Sequence, residues 1–176
     1  MSISTTKGDD GTTCVIDGKR LPKDHPLFEC LGTIDELNAF LGDVKTALYS
    51  AKSPAQIKLR ETIDGIQKEL FSISGILAGV RGYKIDANKL TALVHELEAE
   101  LPPMKEFAVP GADPVTAKLH IARTVCRRTE RHLVSLGRLE IIPAEDYQGI
   151  LAWFNRLSDL LFLLSLREYN VIDKNI

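Results

Sequence analysis

A chain of 176 residues is long enough to form one domain that buries about two thirds of its unfolded surface. Its 22 basic and 24 acidic residues give a formal net charge of −2, which excludes the broad basic field of a nucleic-acid-binding protein. The 3 cysteines lack CxxC or Cys/His spacing, so a zinc site and a disulfide framework are excluded. With no signal-peptide core and no membrane-length apolar run, the sequence predicts a cytoplasmic protein that does not contact membranes.

Five segments carry apolar residues at spacings of three and four, the period of one face of an α-helix. The predicted helices span residues 29–51, 54–77, 86–101, 114–136 and 143–167. Between the third and the fourth, residues 102–114 contain four prolines and a glycine, which predict an ordered loop. No strand pattern of useful length is present apart from a short alternation at residues 14–16.

Five helices with mostly short connections predict an all-α, up-and-down bundle. The fifth helix is apolar on nearly every side, which indicates burial in its own bundle or against another subunit. Asn155 and Asp159 form a polar pair inside that helix. Because buried amides and carboxylates need hydrogen-bond partners, we expect theirs to come from another helix, a subunit or a ligand. Because the fifth helix is apolar on nearly every side, we expect an oligomer.

The sequence RTVCRRTER lies in the fourth predicted helix and concentrates positive charge there. At about 100° per residue, Arg123, Arg127 and Arg131 fall within about 80° of one another. We call these three residues the arginine stripe. Glu130 lies at the edge of the stripe, and Arg128 lies apart from it. Like charges four residues apart destabilise a helix, so we expect an anion to offset them.

Two kinds of anion remain possible at the arginine stripe. Glu130 and acidic side chains of neighbouring helices such as Asp35 or Asp159 could form an ion-pair network with it. A polyphosphate is the alternative, because planar guanidinium groups suit phosphate oxygens.

Two other segments have the composition of ligand-binding loops. The stretch TTKGDDGTT has the glycines, hydroxyls and lysine of a loop whose backbone N–H groups cradle phosphates, although a frayed tail has the same composition. Lys23 is either part of that site or a solvated lysine. Phe107 and Val109 either close the end of the bundle or form an apolar wall for a large flat ligand.

Six stretches of the chain, in order, resemble the PduO-type ATP:cob(I)alamin adenosyltransferases. They are GDDGTT at 8–13, GKRLPKD at 18–24, FECLGTIDELNAFLG at 28–42, FAVPG at 107–111, ARTVCRRTER at 122–131 and FNRLSDLLF at 154–162. The resemblance implies a ferritin-like five-helix bundle, assembled as a homotrimer with active sites between adjacent subunits. It implies a single cobalamin adenosyltransferase domain over residues 1–176, with an ATP-binding segment at 1–25 and the helical bundle at 26–176.

The implied enzyme is a transferase that moves the 5′-deoxyadenosyl group of ATP to the cobalt of cob(I)alamin and releases triphosphate. Mg²⁺ would be bound through ATP, without a protein cage of its own. The resemblance places the following residues at the ATP site: Thr5, Thr6, Lys7, Gly8, Thr13, Lys23, Arg127, Arg128, Thr129, Glu130, Arg131 and Asn155. It places Phe107, Val109 and Asp159 on the cobalamin side.

The resemblance also implies catalytic and structural roles. Arg127, Arg131 and Asn155 would be catalytic residues at the triphosphate. Phe107 would be the fourth, lying beneath the corrin and displacing the lower nitrogen ligand of cobalt. Asp35 would pair with Arg123 to position the arginine helix.

The chain departs from the family at its N-terminus. The family pattern T-K-x-G-D-x-G-x-T has lysine where Thr6 stands, and Lys7 follows one position later. Either Lys7 reaches the phosphates through a shifted backbone, or ATP binds more weakly.

The implied partners are ATP, cob(I)alamin, other copies of the chain, an adenosylcobalamin-dependent enzyme and a flavoprotein reductant. Two other functions remain open. One is a cobalamin- or ATP-binding sensor, or a chaperone that delivers the cofactor. The other is a helical scaffold whose arginines pair with acidic residues.

Overall fold

The computed structural model describes residue 4 and residues 6–16, 18–103 and 109–173. Within this part, the chain forms five α-helices preceded by one β-hairpin, so the predicted all-α, five-helix fold is confirmed. The helices are α1 (Pro26–Ala47), α2 (Pro54–Leu77), α3 (Asn88–Glu100), α4 (Pro114–Gly137) and α5 (Ala144–Asp173). The strands are β1 (Thr12–Cys14) and β2 (Arg20–Pro22).

The ends of α2, α3 and α4 lie close to the predicted positions, and those of α1 and α5 differ. α1 begins at Pro26 because this proline fits a first helical turn and the Nδ1 atom of His25 accepts a hydrogen bond from the Leu27 N–H at 3.2 Å. It also ends before residue 51, at Ala47. α5 continues past the predicted end at residue 167 to Asp173.

The hairpin was not predicted, because strands of three residues are too short to show an alternating pattern. β1 and β2 pair antiparallel, with Cys14 opposite Arg20. Gly18 has a φ of 85° in the connecting turn, which a glycine adopts without strain. Val15 and Leu21 pack against the core of the bundle and so fix the hairpin to the helices.

α4 lies between α1 and α5. It runs antiparallel to α1, since Lys118 meets Asp43 whereas His132, much later in α4, meets Glu29 near the start of α1. On its other side, the Cys126 thiol donates to the carbonyl oxygen of Phe154 in α5 at 3.5 Å. The end of α4, the start of α5 and the start of α1 therefore share one end of the bundle.

α5 provides much of the apolar core but exposes one side. Over Ala144–Tyr169 it is long and apolar enough to cross a membrane by length and composition, and half of its most apolar stretch is buried inside the protein. Trp153, Phe154 and Leu157 are among its fully buried residues. Asn155 and Asp159 are exposed in the single chain. The apolar composition of the helix did not show which of its sides lacks a neighbour, and partners from a subunit or a ligand stay a prediction for both residues.

Candidate functional site

The N-terminal segment forms a tight turn beside Lys23. The Asp9 N–H donates to the carbonyl oxygen of Thr6 at 3.1 Å, and the Gly11 N–H donates to that of Gly8 at 3.2 Å. The Lys23 N–H in turn donates to the Gly11 carbonyl at 2.9 Å. A Cβ atom on Gly8 would lie 3.2 Å from Lys23 Nζ, so the lysine ammonium lies directly against this glycine. The structure thus brings together two of the predicted site residues.

Thr6 and Gly11 both have left-handed backbone conformations, with φ of 56° and 80°. This conformation costs a β-branched residue such as threonine about 1–2 kcal/mol. Thr6 is the position at which the chain departs from the family pattern. The residue that differs from the family pattern therefore also has an unusual backbone conformation.

The surroundings of the arginine stripe change along α4. Arg127 and Arg131 are exposed, and the Nη1 atom of Arg131 donates to the Arg127 carbonyl at 3.1 Å. Among the described residues, neither guanidinium lies within ion-pair distance of a carboxylate. This half of the stripe has positive charge that the described part of the chain does not neutralise by direct contact.

Arg123 has a different environment from the rest of the stripe. Its guanidinium carbon lies 5.7 Å from the centre of the Phe162 ring, a cation–π arrangement. Its Nε atom is buried and has no hydrogen-bond partner among the described residues. Asp35 is exposed on α1, and within the described chain no ion pair joins it to Arg123. Their predicted pairing stays a prediction.

Arg128 and Thr129 connect α4 to α1. Arg128 forms an ion pair with Glu36, the residue next to Asp35. Thr129 is fully buried, and its hydroxyl lies 3.0 Å from the Val125 carbonyl and 3.3 Å from the Thr33 carbonyl. The Thr129 side chain, which we expected at the ATP site, therefore lies between helices and not on the exposed face.

Asn155 of α5 lies beside this part of α4. Asp159 lies one turn further along α5, on the same side of that helix. The amide of Asn155 donates to Glu130 Oε1 at 3.4 Å, so Asn155 lies beside the arginine stripe as predicted from the sequence motif. Asp159 forms an ion pair with Arg156 at 2.7 Å on its own helix. It therefore does not neutralise the stripe by direct contact, which leaves the ion-pair-network alternative without one of its three suggested acids.

A second surface lies near the other end of α4. Val109 is 80% exposed, and just after it a shallow cavity of about 300 Å³ is lined by Pro110, Gly111, Ala117, His120, Ile121 and Thr124. Burial, followed by the nearby charge of Arg123, lowers the pKa of His120, so its ring is neutral at pH 7. Thr5 and Phe107, both predicted site residues, lie outside the described residues.

Sequence reasoning missed three residues of these surfaces: Arg20, Glu36 and His120. Each lies within or next to a motif that was recognised, since Arg20 belongs to GKRLPKD and Glu36 follows Asp35. The motifs showed which segments contain site residues. They did not show that Glu36, about 100° around the helix from Asp35, is the acid that faces α4.

Comparison with known proteins agrees with this arrangement. The family model described as cobalamin adenosyltransferase matches residues 3–168. A corrinoid adenosyltransferase of Citrobacter freundii is 37% identical over 180 residues, which cover 97% of this chain and 97% of that protein. The corrinoid adenosyltransferase PduO of the same organism is 36% identical over 177 residues, and this chain spans only 50% of its length.

A solved structure is also similar. It is a variant of the PduO-type ATP:corrinoid adenosyltransferase from Lactobacillus reuteri, complexed with cobalamin and ATP. The match has a TM-score of 0.84 and 29% identity, and it covers 98% of this chain and 93% of that one.

The fold, the exposed half of the arginine stripe and these matches define the chain as a member of the cobalamin adenosyltransferase family, of the PduO type. Its activity is that of an ATP:corrinoid adenosyltransferase, and the protein is a transferase.

Proposed function

We propose that the chain transfers the 5′-deoxyadenosyl group of ATP to cob(I)alamin at a site whose triphosphate end is built around Arg127 and Arg131. The observation that carries this proposal is that both guanidinium groups are exposed without a carboxylate partner among the described residues, close to Asn155 and Glu130. In the reaction, the cobalt electron pair attacks C5′, the bond from C5′ to oxygen breaks, and its electrons leave with triphosphate.

The protein contributes positioning and electrostatic stabilisation. Cob(I)alamin is already a strong nucleophile, so no general base is needed. Lys23 Nζ and the two exposed arginines supply donors to a leaving group whose negative charge grows as the bond breaks. The N–H groups of the Gly8 turn other than those of Asp9 and Gly11, which bond within the turn, would add further donors. Thr5, Thr6, Lys7 and Thr13 belong to the same proposed ATP segment, within residues 1–25.

Mg²⁺ fits this site as a companion of the nucleotide. In the described part of the chain, no three histidine, cysteine or acidic side chains cluster as metal ligands. Mg²⁺ commonly binds through substrate phosphates with one or two carboxylates, and Glu130 is the acid nearest to Asn155 that could supply one. When bound, the ion would neutralise part of the triphosphate charge.

The cobalamin side is proposed to lie at the loop before α4. Phe107 is two residues before the exposed Val109, and the shallow apolar cavity follows directly. An apolar surface of this kind suits the face of a corrin ring and would keep water from the reduced cobalt. Asp159 is placed on this side by the family resemblance, and it is exposed on α5.

We also propose a homotrimer with active sites between subunits. Asp35 is exposed, and the half-buried Arg123 makes no ion pair with the described residues, so the Asp35 carboxylate of an adjacent copy could pair with its guanidinium. The proposed location is the cytoplasm, and the proposed protein partners are an adenosylcobalamin-dependent enzyme and a flavoprotein reductant.

A cofactor sensor or delivery chaperone is the second candidate. The observation that favours it is the unusual backbone at Thr6, where the family pattern has lysine. One anaerobic assay separates the two: protein, Mg²⁺, ATP and chemically reduced cobalamin are mixed, and the visible spectrum reports formation of the cobalt–carbon bond. Turnover supports the enzyme, binding of either ligand without turnover supports the sensor, and a failure to bind both ligands contradicts both.

Phe107→Ala tests the proposed axial role. Because an aromatic ring beneath the corrin would keep the lower ligand away and make cobalt easier to reduce, we expect a much larger loss of rate from cob(II)alamin with a reductant than from preformed cob(I)alamin. Both rates are measured at saturating Mg–ATP, with Tyr49→Ala as the control for loss of an aromatic ring, because Tyr49 is exposed and outside the proposed site. Equal losses in the two assays would contradict this role.

Gly8→Ala tests the contact with Lys23. The added methyl group would meet the flexible end of the lysine, so the ammonium moves while the fold is kept. Loss of one charged phosphate contact is expected to raise the KM for ATP by about 10-fold. Gly65→Ala is the matched control, because no atom lies within 4 Å of its added Cβ. An unchanged KM in Gly8→Ala would show that Lys23 is not positioned by this glycine.

A further inference from the structure

The side chain of Arg20, on β2, holds the N-terminal turn from the opposite strand of the hairpin. Its Nη2 atom donates to the Lys7 carbonyl oxygen at 2.7 Å and to both carboxylate oxygens of Asp10, at 3.0 and 3.1 Å. The same nitrogen also contacts the Thr12 hydroxyl. Arg20 thus joins two residues of the turn and the first residue of β1 at one point.

Among the described residues, the turn is otherwise held by backbone hydrogen bonds, including one from the Lys23 N–H to the Gly11 carbonyl. Residues 6, 7, 9, 10 and 11 are exposed, so little apolar packing holds them. Thr6 has a left-handed conformation, which is strained for a β-branched residue. The hairpin is fixed to the core through Val15 and Leu21, and Arg20 lies directly before Leu21. Arg20 therefore adds side-chain contacts between the anchored strand and the exposed turn.

Arg20 is not in a position to act as a free phosphate ligand. Hydrogen bonds from the Thr12 side chain and backbone, together with the charge of Arg20, lower the pKa of Asp10, so this carboxylate is ionised at pH 7 and neutralises the guanidinium. Lys23, by contrast, has no carboxylate within ion-pair distance among the described residues. The two basic side chains next to the turn therefore have different roles.

Most exposed ion pairs contribute little, because water screens them and two long side chains lose freedom. Arg20 differs in two respects. Both Asp10 oxygens accept from it, and it also binds a backbone carbonyl, whose position directly determines the shape of the turn. All of these acceptors share the two hydrogens of the one nitrogen Nη2, so the contacts form a single multi-centre cluster at the tip of the long arginine side chain.

We propose that Arg20 is a positioning residue for ATP: through Lys7, Asp10 and Thr12 it holds the turn in the shape that presents backbone N–H groups and Lys23 to the triphosphate before the nucleotide binds. The inference rests on the proposed function. It assigns Arg20 no contact with ATP, so its effect should be on binding of the nucleotide and not on the chemical step.

Arg20→Gln in the full chain tests the proposal. We expect the KM for ATP, and the Kd for Mg–ATP measured by calorimetry without corrinoid, to rise about 10-fold or more. The kcat at saturating ATP should stay within about 3-fold of the unaltered value, because the interaction is completed before the transition state. Arg20→Lys should restore ATP binding only in part, since it keeps the charge and a donor nitrogen but its shorter side chain reaches less far towards Asp10 and the Lys7 carbonyl. Arg81→Gln, at an exposed position outside the hairpin, is the matched control and should leave both constants unchanged.

Asp10→Asn provides a second variant that keeps the side-chain shape and the arginine. It should raise the KM for ATP, and the double variant with Arg20→Gln should be no worse than Arg20→Gln alone, because both act through one contact. Additive losses, an unchanged KM in Arg20→Gln, or a fall in kcat with unchanged KM would each overturn the positioning role. If the unaltered protein itself does not bind Mg–ATP, the proposed function is contradicted instead.

Discussion

Arg127→Ala is expected to lower kcat/KM for ATP by on the order of 10²-fold or more while the fold is retained. Arg127 is exposed on α4 and makes no ion pair with the described residues, so its removal leaves no buried charge behind. If it contacts the leaving triphosphate, its interaction strengthens as negative charge moves onto the leaving oxygen. Most of the loss should therefore be in kcat, measured at saturating ATP and cob(I)alamin.

Arg127→Lys and Arg81→Ala serve as the companion variants. Lysine keeps the charge but loses the planar pair of donors, so we expect an activity between those of the unaltered protein and Arg127→Ala. Arg81→Ala removes an exposed arginine from the α2–α3 connection and should have no effect on kcat/KM. A loss below about 3-fold in Arg127→Ala would place the triphosphate elsewhere, because even a single hydrogen bond to a charged group contributes more.

The neighbouring Arg128 has a different position despite its place in the same motif. Its guanidinium pairs with Glu36, so in this structure it joins α4 to α1. Adjacent residues on a helix point about 100° apart, and the fold turns Arg127 to the surface and Arg128 towards another helix. The arginines of RTVCRRTER thus lie in two different environments, one exposed on the surface and one facing α1. The composition of the motif does not show which arginine lies in which.

The positions of the helices could be predicted because their information is local. Spacings of three and four residues identified all five, and prolines near the starts of α2 and α4 fixed those ends within a residue. The hairpin could not be predicted in this way. Its strands contain three residues each, and it depends on the docking of Val15 and Leu21 on a core formed by distant helices.

The candidate site was predictable to the level of segments but not of partners. The motifs placed Gly8 with Lys23, and Asn155 with the end of the arginine stripe, and the structure brings each pair together. Which acid meets which arginine depends on the rotation of α1 against α4, a tertiary property. For the same reason the sequence could not show that Asn155 lies on an exposed side of an otherwise apolar helix.

The centre of the bundle gives the largest expected effect on stability. Trp153 is fully buried in α5, its ring packs edge-on against Phe154 with centres 5.2 Å apart, and its Nε1 atom donates to Glu69 of α2. We expect Trp153→Ala to lower the free energy of unfolding by about 3–5 kcal/mol, because it removes a large apolar side chain and leaves a cavity. The measurement is urea unfolding followed by circular dichroism, since the chain contains 1 tryptophan and loses its fluorescence in the variant.

Trp153→Phe separates packing from the hydrogen bond. Phenylalanine fills most of the space but leaves Glu69 without its donor, so the expected loss is smaller, about 1–3 kcal/mol.

Tyr49→Ala is the control for loss of an aromatic ring, because Tyr49 is 86% exposed and its removal should change stability little. All variants are compared at one protein concentration, since subunit association would itself contribute to stability. A Trp153→Ala variant within about 1 kcal/mol of the unaltered protein would mean that the core closes around the missing ring, against the usual behaviour of large buried side chains.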